Sequence, residues 1–329
     1  MERLDNLVLL ADKTSNVWDF AEKMKEYICR KIQQEIPLRE VSVKLFSNGE
    51  IDMHIPESVR RKDIYFVHDS TKNPQEWWIE LLLLQDLLLS NSAESVSFVL
   101  PNLLYSRQDR RDKPHVPISA RALADSLSPN IKRVLTMDLH SPQIQGFYDS
   151  SVPLENLYSF PVVVSYLRKS SIIQNLDELV VVSPDAGGVK RAEDFSRRLK
   201  PRYPMAFLEK RRDTNGERKI NKMILVGSVR GRDVLLIDDI IDSGGTLCKT
   251  ASVLKKRGAG KLYCYGTHGL FTKGLDELSE YFEKIMISNT HDDQRYRENP
   301  KIEIIDVSGI FAEAIYRIET GLSLSSLFK

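Results

Sequence analysis

The sequence is short of most features that mark a specialised protein. Its three cysteines, Cys29, Cys248 and Cys264, are odd in number and lack metal-ligand spacing, which argues against a disulfide framework or a cysteine-held zinc. Net charge is almost absent: 47 Lys and Arg stand against 46 Asp and Glu, for a formal +1. Binding to nucleic acid through bulk charge therefore has no support, and neither does a disordered acidic tail. No long hydrophobic run exists. The greasiest stretch, Trp77 to Leu89, is broken by Glu80, Gln85 and Asp86, and a bilayer needs about 20 apolar residues. Leu7 to Ala11 is too short for the core of a signal peptide. Internal repeats and low-complexity segments are missing too, so solenoids and arrays are set aside. These shortages together point to a reducing, cytoplasmic setting with neither a membrane nor a nucleic-acid partner. What is present, 42% hydrophobic and 28% charged residues over 329 positions, is ordinary globular material. It is enough for about two domains, each with a full core.

Short runs rich in Val and Ile alternate with amphipathic stretches. Strands are predicted at Val41–Phe46, Ile64–Val67, Val96–Leu100, Val134–Leu139, Leu179–Ser183, Val234–Ile237 and Leu262–Tyr265. Val17, Phe20, Ala21, Met24 and Ile28 form one helical face. Further helices are predicted from Pro74 to Leu89, Ser119 to Leu127, Gly187 to Leu199, Gly245 to Arg257 and Gly309 to Ile318. Strands alternating with helices predict an α/β fold with parallel sheets covered on both faces. A boundary is expected near Pro153 to Pro161, and the polar stretch Asp213 to Lys222 reads as a mobile loop of the second half.

The sharpest feature is Val234-Leu-Leu-Ile-Asp238-Asp239-Ile-Ile-Asp242-Ser243-Gly244-Gly245-Thr246. A buried strand delivers two adjacent carboxylates, and a turn of small residues then opens a helix. Such a turn aims backbone N–H groups, with the Ser243 and Thr246 hydroxyls, at one anion. The carboxylates beside it suit the vicinal hydroxyls of a sugar phosphate, because an ionised carboxylate only accepts hydrogen bonds. Helix capping alone would need one polar residue, not six.

This run resembles the phosphoribosyl-pyrophosphate loop shared by type I phosphoribosyltransferases and ribose-phosphate diphosphokinases. Other segments separate the two families. Tyr105-Ser-Arg107-Gln108-Asp109-Arg110-Arg111-Asp112-Lys113, with Pro117-Ile-Ser-Ala120, resembles the ATP-site segment of the diphosphokinases. Phe46-Ser-Asn48-Gly-Glu50 resembles the segment that reaches a neighbouring subunit's adenine. Thr136-Met-Asp138-Leu-His140 through Phe147, and Ser183-Pro-Asp185-Ala-Gly-Gly-Val-Lys-Arg191-Ala192, are similar to that family's metal-linked regions. The similarity runs in the family's order from about Val41 to Phe328.

The resemblance implies two similar domains of the type I phosphoribosyltransferase fold, residues 1–158 and 159–329, with the extreme C-terminus packing back on the first. It implies Mg²⁺-dependent transfer of the β,γ-diphosphoryl group of ATP to the 1-hydroxyl of D-ribose 5-phosphate. By the same resemblance Phe46, Asn48, Glu50, Arg107, Gln108, Asp112 and His140 would bind ATP, and His140 and Asp185 would hold the metal. Asp238, Asp239, Asp242, Ser243, Gly244, Gly245, Thr246 and Arg212 would bind ribose 5-phosphate, with Lys210 and Arg212 catalytic. Asp138 and Asp149 stand behind them as metal candidates, and Glu155 stands near an acidic family position with two residues inserted before it. A homo-oligomer built on dimers, commonly a hexamer in similar proteins, follows from the shared ATP segment.

Each segment also has a plainer reading. Arg107 to Asp112 is a solvated loop on charge alone, His140 a strand-end hydrogen-bonder, Asp185 a helix cap, and Lys210 to Arg212 a surface basic cluster. His54, His68, His268 and His291 carry no chemistry in this reading, Trp77 and Trp78 are packing, and the cysteines are core thiols. Ser58 and Arg60 match part of a regulatory phosphate site of the family. His115, however, replaces its usual arginine, and Val67-His68-Asp69-Ser70 replaces its usual Gln-Ser, so a weak response to phosphate and ADP is expected. Three alternatives remain: a type I phosphoribosyltransferase, a non-catalytic regulatory member of the diphosphokinase family, and a regulator of transcription or RNA. The last lacks any helix-turn-helix or RNA-binding signature.

Overall fold

The structure, a computed structural model, describes residues 4–199, 204–212 and 221–328, with only the backbone at 210–212 and 221–222. The chain is α/β and divides into two compact units. The first runs to Tyr158 and takes back Asn289–Asp293 and the residues from Asp306 onward; the second holds Ser159–Ser288 and Gln294–Ile305.

In the first unit β1 (Leu7–Ala11) is followed by α1 (Trp18–Ile32), β2 (Leu38–Glu40), β3 (Ser42–Leu45), β4 (Ile51–His54) and β5 (Asp63–Val67). Then come α2 (Pro74–Ser90), β6 (Ser95–Val99), α3 (Ser119–Leu127), β7 (Arg133–Met137) and β8 (Leu154–Leu157). Six of these strands form an all-parallel sheet in the order β2-β1-β5-β6-β7-β8. All five residues of β1 are buried, as a central parallel strand covered on both faces requires. The predicted strand from Val41 does not join that sheet. β3 pairs antiparallel with β4 as a separate hairpin, and its solvated Lys44 and Leu45 show why no layer covers it. The helix predictions hold closely. Phe20, Ala21, Met24 and Ile28 are the buried face of α1. Asn73 caps α2 by accepting from the Gln75 amide, with Pro74 at the first position.

The second unit contains α4 (Phe160–Lys169), β9 (Val180–Ser183), α5 (Val189–Leu199), β10 (Met205–Arg212) and β11 (Asn221–Val226). These precede β12 (Val234–Ile241), α6 (Gly245–Lys256), β13 (Leu262–Gly269), α7 (Asp276–Tyr281), β14 (Lys284–Ser288) and β15 (Ile302–Ile305). Seven strands lie in the order β11-β10-β9-β12-β13-β14-β15, parallel except for β10 against β11. The chain builds outward from β9 through β10 and β11, then restarts on the other side of β9 with β12. That reversal opens a crevice beyond the carboxyl ends of β9 and β12, where open α/β sheets bind ligands.

The last helix, α8 (Ser308–Thr320), belongs to the first unit, whose returning segment starts at Asp306, well before the extreme C-terminus. Its apolar face needs α1: Phe311 meets Phe20 edge-on at 5.5 Å between ring centroids, and Tyr27 donates to Glu313 at 2.9 Å. Below them the buried Tyr65 hydroxyl donates to Glu319 at 2.5 Å. No helix of the described residues is long and apolar enough to cross a membrane.

Candidate active site

The second unit's crevice gathers the residues of two separate sequence motifs. β9 ends at Ser183, and the Pro184 to Gly188 turn bends back over it. The Gly188 amide donates to Asp185 Oδ1 at 3.0 Å, while Ser183 Oγ donates to the Asp185 carbonyl at 2.7 Å. A Cβ on Gly188 would stand 2.7 Å from Ser183 Oγ, so the turn closes this tightly only around glycine. From the neighbouring strand β12 come Asp238, half-buried, and Asp239, buried. The Asp239 amide donates to Asp238 Oδ1 at 3.0 Å. Arg191, on the first turn of α5, donates through Nη1 to Asp239 Oδ1 at 2.9 Å, and that nitrogen lies 3.7 Å from Asp238 Oδ1.

Electrostatically the pair is under pressure. The Asp238 carboxyl is held well above the usual carboxylate range, first by burial and then by the adjacent Asp239. The Asp185 charge adds to the shift, and the Arg191 guanidinium opposes it. The carboxylates of Asp238 and Asp239, paired with one guanidinium, and the nearby charge of Asp185 are hard oxygen donors of the kind Mg²⁺ takes. Among the described residues no group of three or more His, Cys, Asp and Glu side chains is arranged to hold a metal ion.

One turn further on lies the anion cradle. Gly244 sits at φ 73°, a left-handed conformation, and α6 starts at Gly245 without a side-chain cap. Cys248 N is bonded to the Gly244 carbonyl at 2.9 Å, so the amides of Gly245, Thr246 and Leu247 precede the first intrahelical donor. They point out of the helix start, where its dipole attracts an anion. The cradle is braced from behind. Thr272 donates from Oγ1 to Asp242 Oδ1 at 2.6 Å and from its amide to the Asp242 carbonyl at 3.2 Å. The side chain of Leu278, on α7, packs directly under Gly244.

The other predicted residues lie mostly in the first unit. Arg107, Gln108 and Asp112 occupy the loop leaving the carboxyl end of β6, and Ser119 at the start of α3 donates to Gln108 Oε1 at 3.0 Å. His140 is exposed just beyond the carboxyl end of the adjacent strand β7. Asp138 beside it is buried at φ 44°, a strained conformation for a non-glycine residue at a sheet's ligand-binding edge. Phe46, Asn48 and Glu50 sit on the separate hairpin, with Phe46 55% exposed at its tip. Asp149 accepts from Ser151 on the surface, and Glu155 is paired with Arg133 at 3.2 Å across β7 and β8. Lys210 and Arg212 lie on β10, opposite Met223 and Asn221 of β11; their side chains, and residues 213–220 of the expected loop, are outside the described residues.

Arg191, Thr272 and Leu278 carry parts of this site that the sequence reading did not assign. Arg191 had a signal, an arginine one turn into the helix that follows Gly187-Gly188. Thr272 and Leu278 had none, since only the fold brings them under the turn.

Comparison with known proteins points the same way. Residues 14–130 match the model of the N-terminal domain of ribose phosphate pyrophosphokinase. Residues 215–329 match that of the phosphoribosyl synthetase-associated domain. The chain is 38% identical over 297 residues to a ribose-phosphate pyrophosphokinase from Helicobacter hepaticus, covering 89% of this chain and 92% of that one. It is 39% identical over 311 residues to ribose-phosphate pyrophosphokinase 2 of Schizosaccharomyces pombe, covering 93% and 94%. The crystal structure of phosphoribosylpyrophosphate synthetase from Mycobacterium smegmatis superposes with a TM-score of 0.82 at 28% identity, over 96% of this chain and 99% of that one.

Proposed function

The chain belongs to the ribose-phosphate pyrophosphokinase family of enzymes, and from that premise we propose that it joins ATP and D-ribose 5-phosphate, giving 5-phospho-α-D-ribose 1-diphosphate and AMP. The observation that carries the reading is the pairing of Asp238 and Asp239 with the uncapped start of α6 at one crevice. An acceptor pair and an anion cradle one turn apart match the two ends of a sugar phosphate. The amides opening α6, with the Ser243 and Thr246 hydroxyls, would hold the 5-phosphate, while Asp242 is fixed by Thr272. Asp238 and Asp239 would accept from the ribose 2- and 3-hydroxyls.

In the reaction the 1-hydroxyl oxygen forms a bond to the β-phosphorus as the bond to the α,β-bridging oxygen breaks. The hydroxyl proton is released, and AMP leaves with the bridging oxygen. Little covalent work falls to the protein; positioning and charge neutralisation carry the catalysis. Phe46, Asn48, Glu50, Arg107, Gln108, Asp112 and His140 would bind ATP. Lys210 and Arg212 would neutralise charge on the transferring group while their loop excludes water. Mg²⁺ near His140 and Asp185 would offset the triphosphate charge when bound. Phe46 and Leu45, both 55% exposed on the hairpin, suit a segment that serves a neighbouring copy in a homo-oligomer built on dimers.

The test is an assay of AMP release with Mg²⁺, ATP and ribose 5-phosphate, beside a Lys210→Ala variant, with and without added phosphate. AMP formation that depends on ribose 5-phosphate and falls at least a hundredfold in the variant is expected, the scale of one lost electrostatic stabiliser. AMP formation little affected by phosphate is expected as well. Nucleotide binding without AMP would refute the activity, and strict phosphate dependence would refute the regulatory expectation.

A further inference from the structure

Arg191 is placed unlike the other basic residues of α5. Lys190 is exposed, and Arg197 and Arg198 lie in the last turn, where basic side chains complement the helix dipole. Arg191 instead leaves the solvent and reaches across to the end of β12. Its side chain is 20% exposed, against 5% for Asp239 and 23% for Asp238. The backbone fixes its origin, because α5 begins directly after the tight Gly187-Gly188 turn and packs against both β9 and β12. One guanidinium nitrogen thus stands 2.9 Å from Asp239 and 3.7 Å from Asp238. Both acidic side chains are oriented by the same cation.

We propose that Arg191 is a positioning residue for ribose 5-phosphate, holding Asp238 and Asp239 as an acceptor pair for the sugar's vicinal hydroxyls. This rests on the reading that the crevice binds that sugar. Among the described residues of the second unit, Arg191 pairs with the two carboxylates. Only ionised carboxylates accept without donating, and a shared cation favours both acids ionised side by side, where they would otherwise repel each other. A guanidinium is suited to hold them because it stays charged and donates in fixed directions, whereas an ammonium is a point charge. A purely structural ion pair would tie α5 to β12 and affect every substrate alike.

The experiment compares wild type, Arg191→Met and Arg191→Lys by steady-state kinetics with each substrate varied in turn, with far-UV circular dichroism to confirm folding. For Arg191→Met the KM for ribose 5-phosphate is expected to rise about tenfold or more, as expected for a misplaced charge-assisted hydrogen bond. The KM for ATP is expected to stay within about twofold, the scatter of such comparisons. Arg191→Lys is expected to fall between wild type and Arg191→Met for ribose 5-phosphate alone. If Arg191→Met does not fold, the lysine variant decides, by a raised KM for the sugar with that for ATP unchanged. An unchanged KM for ribose 5-phosphate, or equal rises for both substrates, overturns the inference. A wild type without ribose-dependent AMP release overturns the proposed function instead, so the two failures are told apart.

Discussion

Replacing Gly244 with alanine sets two separable costs against each other. The first is conformational. At φ 73° an L-residue meets its own carbonyl, which costs roughly 1–2 kcal/mol. The second is steric. A Cβ built there lies 2.8 Å from both Cγ and Cδ1 of Leu278, where carbon contacts relax only near 3.5–4.0 Å. Leu278 is 1% exposed and packed in the core with Leu247, Phe271 and Phe282, so it has nowhere to turn. Overpacking of this kind costs about 1–3 kcal/mol, for a total of about 2–5 kcal/mol. The displaced turn carries the amides that would hold the 5-phosphate. Urea unfolding should therefore show the loss, and the KM for ribose 5-phosphate should rise at least about tenfold while that for ATP moves little. Leu278→Ala alone costs stability through the cavity it leaves, but it removes the clashing atoms. The double variant should thus be more stable than the sum of the two single losses predicts, by about the steric 1–3 kcal/mol. Gly244→Ala with wild-type stability and wild-type KM would show that the turn tolerates a Cβ, and strict additivity would show that Leu278 is not what resists it.

Two further predictions concern the buried charges at the carboxyl edge of the first unit's sheet. Lys72 Nζ lies 3.0 Å from Asp12 and 2.8 Å from Glu80, whose side chains are 7% and 4% exposed. Lys72→Met should cost about 3–5 kcal/mol in urea unfolding at neutral pH, because it strands two buried carboxylates. Burial already holds the Glu80 carboxyl above the usual range against the pull of Lys72, and losing that ammonium would raise it further, so the deficit should narrow as the pH falls toward 5; a deficit independent of pH would contradict this. His68, stacked on Trp77, is held neutral, its pKa pulled down to about 3 by burial and then by Lys72. The unfolded chain takes up this proton near pH 6.5, so the stability His68 permits is present above that pH and lost as the pH falls through the window from 6.5 to 3. Between pH 7 and 5 the wild type should lose about 2 kcal/mol more than His68→Gln, at about 1.4 kcal/mol per unit, and parallel stability curves would exclude the mechanism.

Much of this molecule was legible before folding, wherever a pattern is local. The face of α1, the cap and proline of α2 and the carboxylate–glycine run of β12 and α6 each follow from residues within a few turns of one another. Short parallel strands were harder. Leu7 to Ala11 is too brief to show a period, and a strand buried on both faces looks like any apolar run. β3 misled in the opposite direction, since its β-branched pattern reads as a sheet strand although only β4 pairs with it. α8 read correctly as a helix, but nothing local assigned it to the first unit, because its partner α1 lies some 300 residues earlier, with Tyr27 and Glu313 separated by 286 positions.

The same division runs through the site. The chemistry on offer is written in the covalent chain: paired carboxylates at a strand end, a small-residue turn before a helix, and an arginine soon after two glycines. These are consequences of covalent order, since a strand running into a turn must present its last residues at the sheet edge. Which of them meet depends on the packing of distant elements. Strand order placed β9 beside β12 and so brought Arg191, 48 positions away, within 2.9 Å of Asp239. It also seated Leu278 under Gly244 and bonded Thr272 to Asp242. Such contacts depend on where each element comes to rest against the others in a close-packed interior, and no spacing along the chain encodes that.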